Sequence, residues 1–172
     1  MNDFASHLTG AKSRHRNYPL RPIALVVAPV VAILFQVYSP RFIPFLQFLD
    51  LPLLVTVYFA VKRREPIPGI LIGALIGLAQ DAFSHNPIGL YGIVKTLTGY
   101  SAASLSQHLD GEDPGIRFLV GFGFYFLHQI CYWVLSNALL AQDLPIDLLQ
   151  ALLFGVLNAA VAVPLFGLLD KL

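Results

Sequence analysis

Between Ile67 and Tyr100 the chain reads IPGILIGALIGLAQDAFSHNPIGLYGIVKTLTGY. Gly69, Gly73 and Gly77 recur every four residues, and Asp81 continues the register. An interval of four keeps residues on nearly one face of an α-helix. The first half is therefore a smooth glycine stripe ending in a carboxylate. Ser84-His85-Asn86 then leaves room only for a tight hairpin. Past it, Pro87, Gly89, Tyr91, Gly92 and Lys95 open a second apolar helix that carries one lysine in its interior. The pair demands a fold in which helices approach closely and a lysine is tolerated among apolar neighbours.

Composition says where such a fold sits. Of 172 residues, 56% are hydrophobic and 12% charged, about half the charged share of a soluble domain. Mean hydropathy is +0.69. A soluble protein of this size has no interior large enough for that apolar surface, so an all-α integral membrane protein is expected. A net charge of +1 gives no reason to expect nucleic-acid binding. The single cysteine, Cys131, has no partner for an internal disulfide.

Residues 1–20 form a polar, basic tail, and 21–172 a single transmembrane domain. The first apolar run has no small-residue cleavage site after it and reads as an uncleaved anchor. Spans are expected at about 22–38, 45–62, 67–83, 87–105, 116–141 and 148–169. The second is the least regular, because its uninterrupted apolar run, Leu51–Val61, is far short of the ~20 residues of a membrane span. Either Asp50 lies inside the membrane, or 42–48 is an amphipathic lead-in and Asp50 begins the helix. Asp before Leu-Pro-Leu favours the second, since a carboxylate suits a helix N-terminus and proline its first turn.

Six spans put both termini on one side. With that side cytoplasmic, Lys12, Arg14, Arg16, Arg21, Lys62, Arg63, Arg64, Arg117 and Lys171 lie inside, Arg41 alone lies outside, and Lys95 is within a span. This asymmetry follows the positive-inside rule. A six-helix bundle with cytoplasmic termini is expected.

Lys95 falls about 12 Å into its span at 1.5 Å per residue, where a charged lysine costs about 2.5–3.5 kcal/mol. It should face the bundle and find a partner, or reach outward by snorkelling, and Asp50 and Asp81, both in the same outer half, are the natural partners. The pairing serves either a polar pocket or partner-docking point, or a structural lock. Ala24, Ala28 and Ala32 form a second small-residue stripe, which, like Gly69/Gly73/Gly77, suits close helix packing or partner docking. The glycine stripe is no phosphate loop, lacking both the Gly-Lys-Ser ending and a preceding strand. His85, four residues after Asp81, lacks an obvious third metal ligand. His128 and Cys131 lie three apart on an aromatic segment, and packing explains them better than nucleophilic chemistry. Tyr100, Tyr132 and Trp133 read as packing or interfacial aromatics. No catalytic, cofactor or metal site is expected.

The run DLPLLVTVYFAVKRREPIPGILIGALIGLAQDAFSHNPIGLYGIVKTLTGY resembles the bacterial rod-shape-determining MreD family. It carries the Asp-led second helix (Asp50), the glycine-patterned third helix, the Gly-Leu-x-x-Asp element (Gly77, Leu78, Asp81) and the Pro-x-Gly turn (Pro87, Gly89). The resemblance implies a non-enzymatic inner-membrane scaffold of the cell-elongation machinery, which supports cell-shape control and peptidoglycan synthesis. Its implied partner is the single-span periplasmic protein MreC, and through it MreB, RodA and the elongation transpeptidase. It also implies a fold similar to the substrate-binding components of energy-coupling-factor transporters. Those dock through a small-xxx-small stripe on the first helix, which Ala24/Ala28/Ala32 resembles. A vitamin-transporter subunit is thus the alternative, with a pocket where Asp50, Asp81, His85, Tyr91 and Lys95 converge.

Overall fold

The computed structural model describes residues 22–84, 87–108, 113–142, 145 and 147–171. The basic residues Lys12, Arg14, Arg16 and Arg21 lie outside them, as do the hairpin residues His85 and Asn86. The described residues form six α-helices: α1 (Pro22–Tyr38), α2 (Leu51–Arg63), α3 (Pro66–Phe83), α4 (Leu90–Leu105), α5 (Pro114–Leu140) and α6 (Leu148–Leu169). Short 3-10 turns occupy Ser39–Arg41, Pro44–Phe48 and Ser106–His108.

Local chemistry sets the boundaries. Three helices begin at an aspartate whose carboxylate accepts a backbone N–H of the first turn: Asp50 from Leu53 (2.9 Å), Asp113 from Gly115 (2.7 Å) and Asp147 from Gln150 (3.1 Å). Asp50 thus opens α2, and 44–48 forms a separate 3-10 turn before it. At its other end, α2 stops where Arg64 turns left-handed (φ 57°), its N–H bonded to the Ala60 carbonyl. Gly89 takes φ 102° at the start of α4, a conformation open to glycine at little cost.

The layering follows from which helices are apolar all round. Every residue of α2 from Pro52 to Ala60 is buried, so α2 is the central helix. It packs on α1, α3 and α4, and α4 in turn contacts α5. The closest pairs are α3 with α4 and α5 with α6. Large apolar side chains stay exposed on α1, α3, α5 and α6, among them Val30, Leu75, Leu119 and Leu153. A soluble protein rarely exposes so much apolar surface, whereas lipid accepts it.

Among the described residues, five helical segments are long and apolar enough to cross a membrane: Ile23–Arg41, Pro44–Arg63, Pro66–Phe83, Pro114–Leu140 and Leu148–Leu169. The sequence pattern led us to expect six. The exception is α4, whose 16 residues span about 24 Å. It carries Lys95, Thr96, Thr98 and Ser101, and protein packs it on several sides. Lys95 and Thr98 are buried against neighbouring helices, while Ile93, Leu97 and Tyr100 form an exposed apolar face, so the polar residues of α4 do not have to meet lipid.

Candidate functional site

The bundle has two polar ends. The first gathers the start of α2, the α3–α4 hairpin, the middle of α5 and the first half of α6. Lys95, fully buried, points its Nζ at Asp50, 3.1 Å from each carboxylate oxygen. The same carboxylate caps α2, and the Asp50 N–H donates to Asn158 Oδ1 (2.9 Å). Asn158 Nδ2 donates to the carbonyls of Phe48 and Phe154, both at 2.9 Å. One asparagine on α6 therefore fixes the kinked lead-in to α2 and, through it, the acid that meets Lys95. His128 Nε2 lies 3.6 Å from Asp50 Oδ2, within ion-pair range but beyond a hydrogen bond. The Tyr91 ring stacks on His128 at 5.9 Å, and Lys95 Nζ sits 5.5 Å above that ring.

Asp81 does different work. It is buried, and its carboxylate accepts three backbone N–H groups: Gly89 (2.9 Å), Tyr91 (3.1 Å) and Gly92 (3.0 Å). Those are the free donors at the start of α4, and Gly89, at the cap position, has no side chain to satisfy them. Asp81 thus caps α4 from the end of α3 and places negative charge at a helix N-terminus. The lysine finds Asp50, and Asp81 is engaged by the hairpin.

The glycine stripe explains how the hairpin closes. A Cβ at Gly73 would overlap the Lys95 carbonyl, one at Gly77 the Tyr91 carbonyl, and one at Gly69 the Gly99 carbonyl. All three glycines face α4 at backbone contact, so the stripe is an intramolecular seam. On α1, Ala32 is buried and Ala28 packs against the core, while Ala24 is half-buried. The alanine stripe also turns inward, away from the exposed face of Val26, Val27 and Val30.

The second polar end holds one acid with several donors. Asp170, just past α6, accepts from Lys62 Nζ (2.7 Å), Arg117 Nη2 (2.6 Å) and the Tyr58 hydroxyl (3.0 Å). It ties α2 and α5 to the end of α6. Burial works to raise the Asp170 pKa. The Lys62 hydrogen bond and charge, with Tyr58 and Arg117, outweigh it and hold the carboxyl below its ordinary value.

Of the sequence candidates, Asp50 and Lys95 are brought together, Tyr91 lies against them, and Asp81 stands one hairpin away. His85 lies outside the described residues. Cys131 is half-buried on α5, and Tyr132 stacks on Tyr91 at 5.4 Å. His128 and Asn158 are the residues sequence reasoning underrated. Their one signal is polarity inside otherwise apolar helices.

A family model described as rod shape-determining protein MreD matches residues 20–172, from the start of α1 to the end of the chain. The chain belongs to the MreD family. That family is a membrane family of shape-determining structural proteins, not known as enzymes, so this chain takes part in rod shape determination. The match takes in both polar ends and every helix. Comparison with the curated proteins gave no match, and neither did comparison with the solved structures.

Proposed function

We propose that this MreD-family chain is a non-enzymatic scaffold of the cell-elongation machinery in the bacterial inner membrane. It binds the membrane helix and nearby periplasmic part of an MreC-like single-span protein. Through that partner it is linked to MreB, RodA and the elongation transpeptidase, and so to peptidoglycan synthesis. Both termini face the cytoplasm, and α4 crosses as a short inner helix within a six-span bundle similar in fold to energy-coupling-factor substrate-binding components. The basic residues Lys62, Arg63, Arg64, Arg117 and Lys171, all near the Asp170 end, support that orientation.

The observation that carries the reading is that the charged groups within the bundle are already engaged inside the protein. Lys95 neutralises Asp50, and Asp81 is spent on the start of α4. A general acid or base must instead be left poised for substrate. Short connections leave an apolar outer surface as the main area open to partners.

The test is co-purification from membranes of the tagged full chain with an MreC-like partner, in a mild detergent. The reading expects the partner at a reproducible ratio, with RodA and the transpeptidase retained only when the partner is present. Recovery of RodA at full yield without the MreC-like protein would contradict that order of assembly. Loss of the chain should round the cells, and re-expression should restore rods.

A further inference from the structure

At the Asp50 end, a cavity of about 480 Å³ opens between the lead-in to α2, the end of α3, the middle of α5 and the start of α6. That is within the size range of small-molecule sites, about 300–1,000 Å³. Its walls carry five glutamines, Gln36, Gln47, Gln80, Gln129 and Gln150, among aromatic rings that include Tyr91, Phe126 and Trp133. Gln47, Gln129 and Gln150 are exposed at the cavity's mouth, whereas Gln80 and the Gln36 amide oxygen lie inside, where an amide is costly to bury without a partner. The cost is visible here. Gln80 is 5% exposed, and among the described residues its Oε1 has no hydrogen-bond partner. His128 is 3% exposed and also lines the cavity, with its Nε2 3.6 Å from Asp50 Oδ2. Gln36 Oε1 is likewise buried and unpartnered there. Buried polar groups are normally satisfied, so two unpartnered amide oxygens around one cavity point to something that satisfies them.

The lining specifies the chemistry. No lysine or arginine is among the lining residues, while Asp50 and Asp147 are, which disfavours an anionic group. Each amide offers both a donor and an acceptor, the pattern a hydroxyl group uses. Flat aromatic faces suit the apolar side of a ring. We infer that this cavity binds an uncharged, hydroxyl-rich group, a sugar or similar polyol, either free or as the head of a membrane lipid. This assignment goes beyond the scaffold reading and does not depend on it.

Trp133 is the chain's single tryptophan and lines the cavity, so its fluorescence reports on occupancy directly. The full chain is reconstituted in phosphatidylcholine vesicles and titrated with methyl β-D-glucoside. In parallel it is placed in vesicles that also contain monoglucosyldiacylglycerol, or phosphatidic acid as the anionic control. A saturable change in Trp133 emission with methyl glucoside identifies a free ligand. A change only with the glucosyl lipid identifies a head group. In either case Gln80→Leu should weaken the response about tenfold, the loss expected when a buried amide contact disappears. Gln129→Leu, at a more exposed position, guards against misfolding of the first variant and should weaken it as well. No saturable change with either glucoside, an equal change with phosphatidic acid, or an undiminished response in both folded variants would overturn the assignment.

Discussion

The two polar ends solve the same problem, holding several helices with few charges, in opposite ways. At one end Lys95 is fully buried against Asp50, and the geometry is fixed from three directions by Asn158, the α2 cap and the Tyr91 ring. At the other, Asp170 gathers Lys62, Arg117 and Tyr58 at the rim, where Asp170 and Lys62 keep about a quarter of their side chains exposed. A buried pair contributes little net energy over an apolar substitute, but breaking it strands a charge. A rim cluster is screened by water and salt, and each member is worth little. The first end fixes how the helices fit together. The second latches the chain's end.

This contrast orders the effects of mutation. Lys95→Met leaves the mostly buried Asp50 without its lysine, so it should cost about 3 kcal/mol and most of the folded yield, read by fluorescence-detected size exclusion. Gly73→Ala drives a methyl into the Lys95 carbonyl and should cost about 3 kcal/mol by overpacking the α3–α4 seam, seen as a lowered Tm. Asp81→Ala strands three N–H groups at the start of α4 and should cost about 2 kcal/mol, with hydrogen exchange rising first around Gly89–Gly92. Asp170→Asn should cost under about 1 kcal/mol and less at high salt, in contrast to the salt-insensitive first end.

The Asp170 latch also has a pH signature. Its folded pKa lies below the ordinary 3.8, so its contribution is complete above that value and is lost as pH falls through the folded pKa. The stability gap between wild type and Asp170→Asn should hold steady from neutral pH to about 4 and close below it. A gap that instead opened on acidification would mean the carboxylate is not stabilised by its cations.

Which parts of this were legible in the sequence follows from how local the physics is. The start of α2 at Asp50 depends on a carboxylate and a proline next to each other, and a sequence shows that. That Lys95 either pairs with an acid or snorkels outward follows from membrane energetics alone, and the structure shows the pairing. Which acid does not follow, because Asp50 and Asp81 lie at similar depth. The choice turns on the hairpin bringing Gly89, Tyr91 and Gly92 to Asp81, a matter of backbone path. His128 and Asn158 were hidden for a related reason: only the rotation of α5 and α6 aims them at Asp50. The glycine stripe announces close packing yet does not name its neighbour, and α4 is identified only by the backbone contacts at Gly69, Gly73 and Gly77. Hydropathy alone sets α4 apart from the other five helices, because its 16 residues bury Lys95 and Thr98 against neighbouring helices and leave only one apolar face, with Ile93, Leu97 and Tyr100, exposed.

The central claim is that Asp50 and Lys95 form a structural lock and are not reactive groups. It is tested most directly by a double-mutant cycle on Asp50→Asn and Lys95→Met, read as folded yield and Tm of the full chain in vesicles, with rod shape scored in cells. The account predicts that each single variant loses folded protein and rounds the cells. The double variant, which strands no charge at this pair and keeps an asparagine able to cap α2, should recover most of both. A double variant that folds fully yet leaves the cells round would contradict the lock, and would mean the charges themselves carry the function.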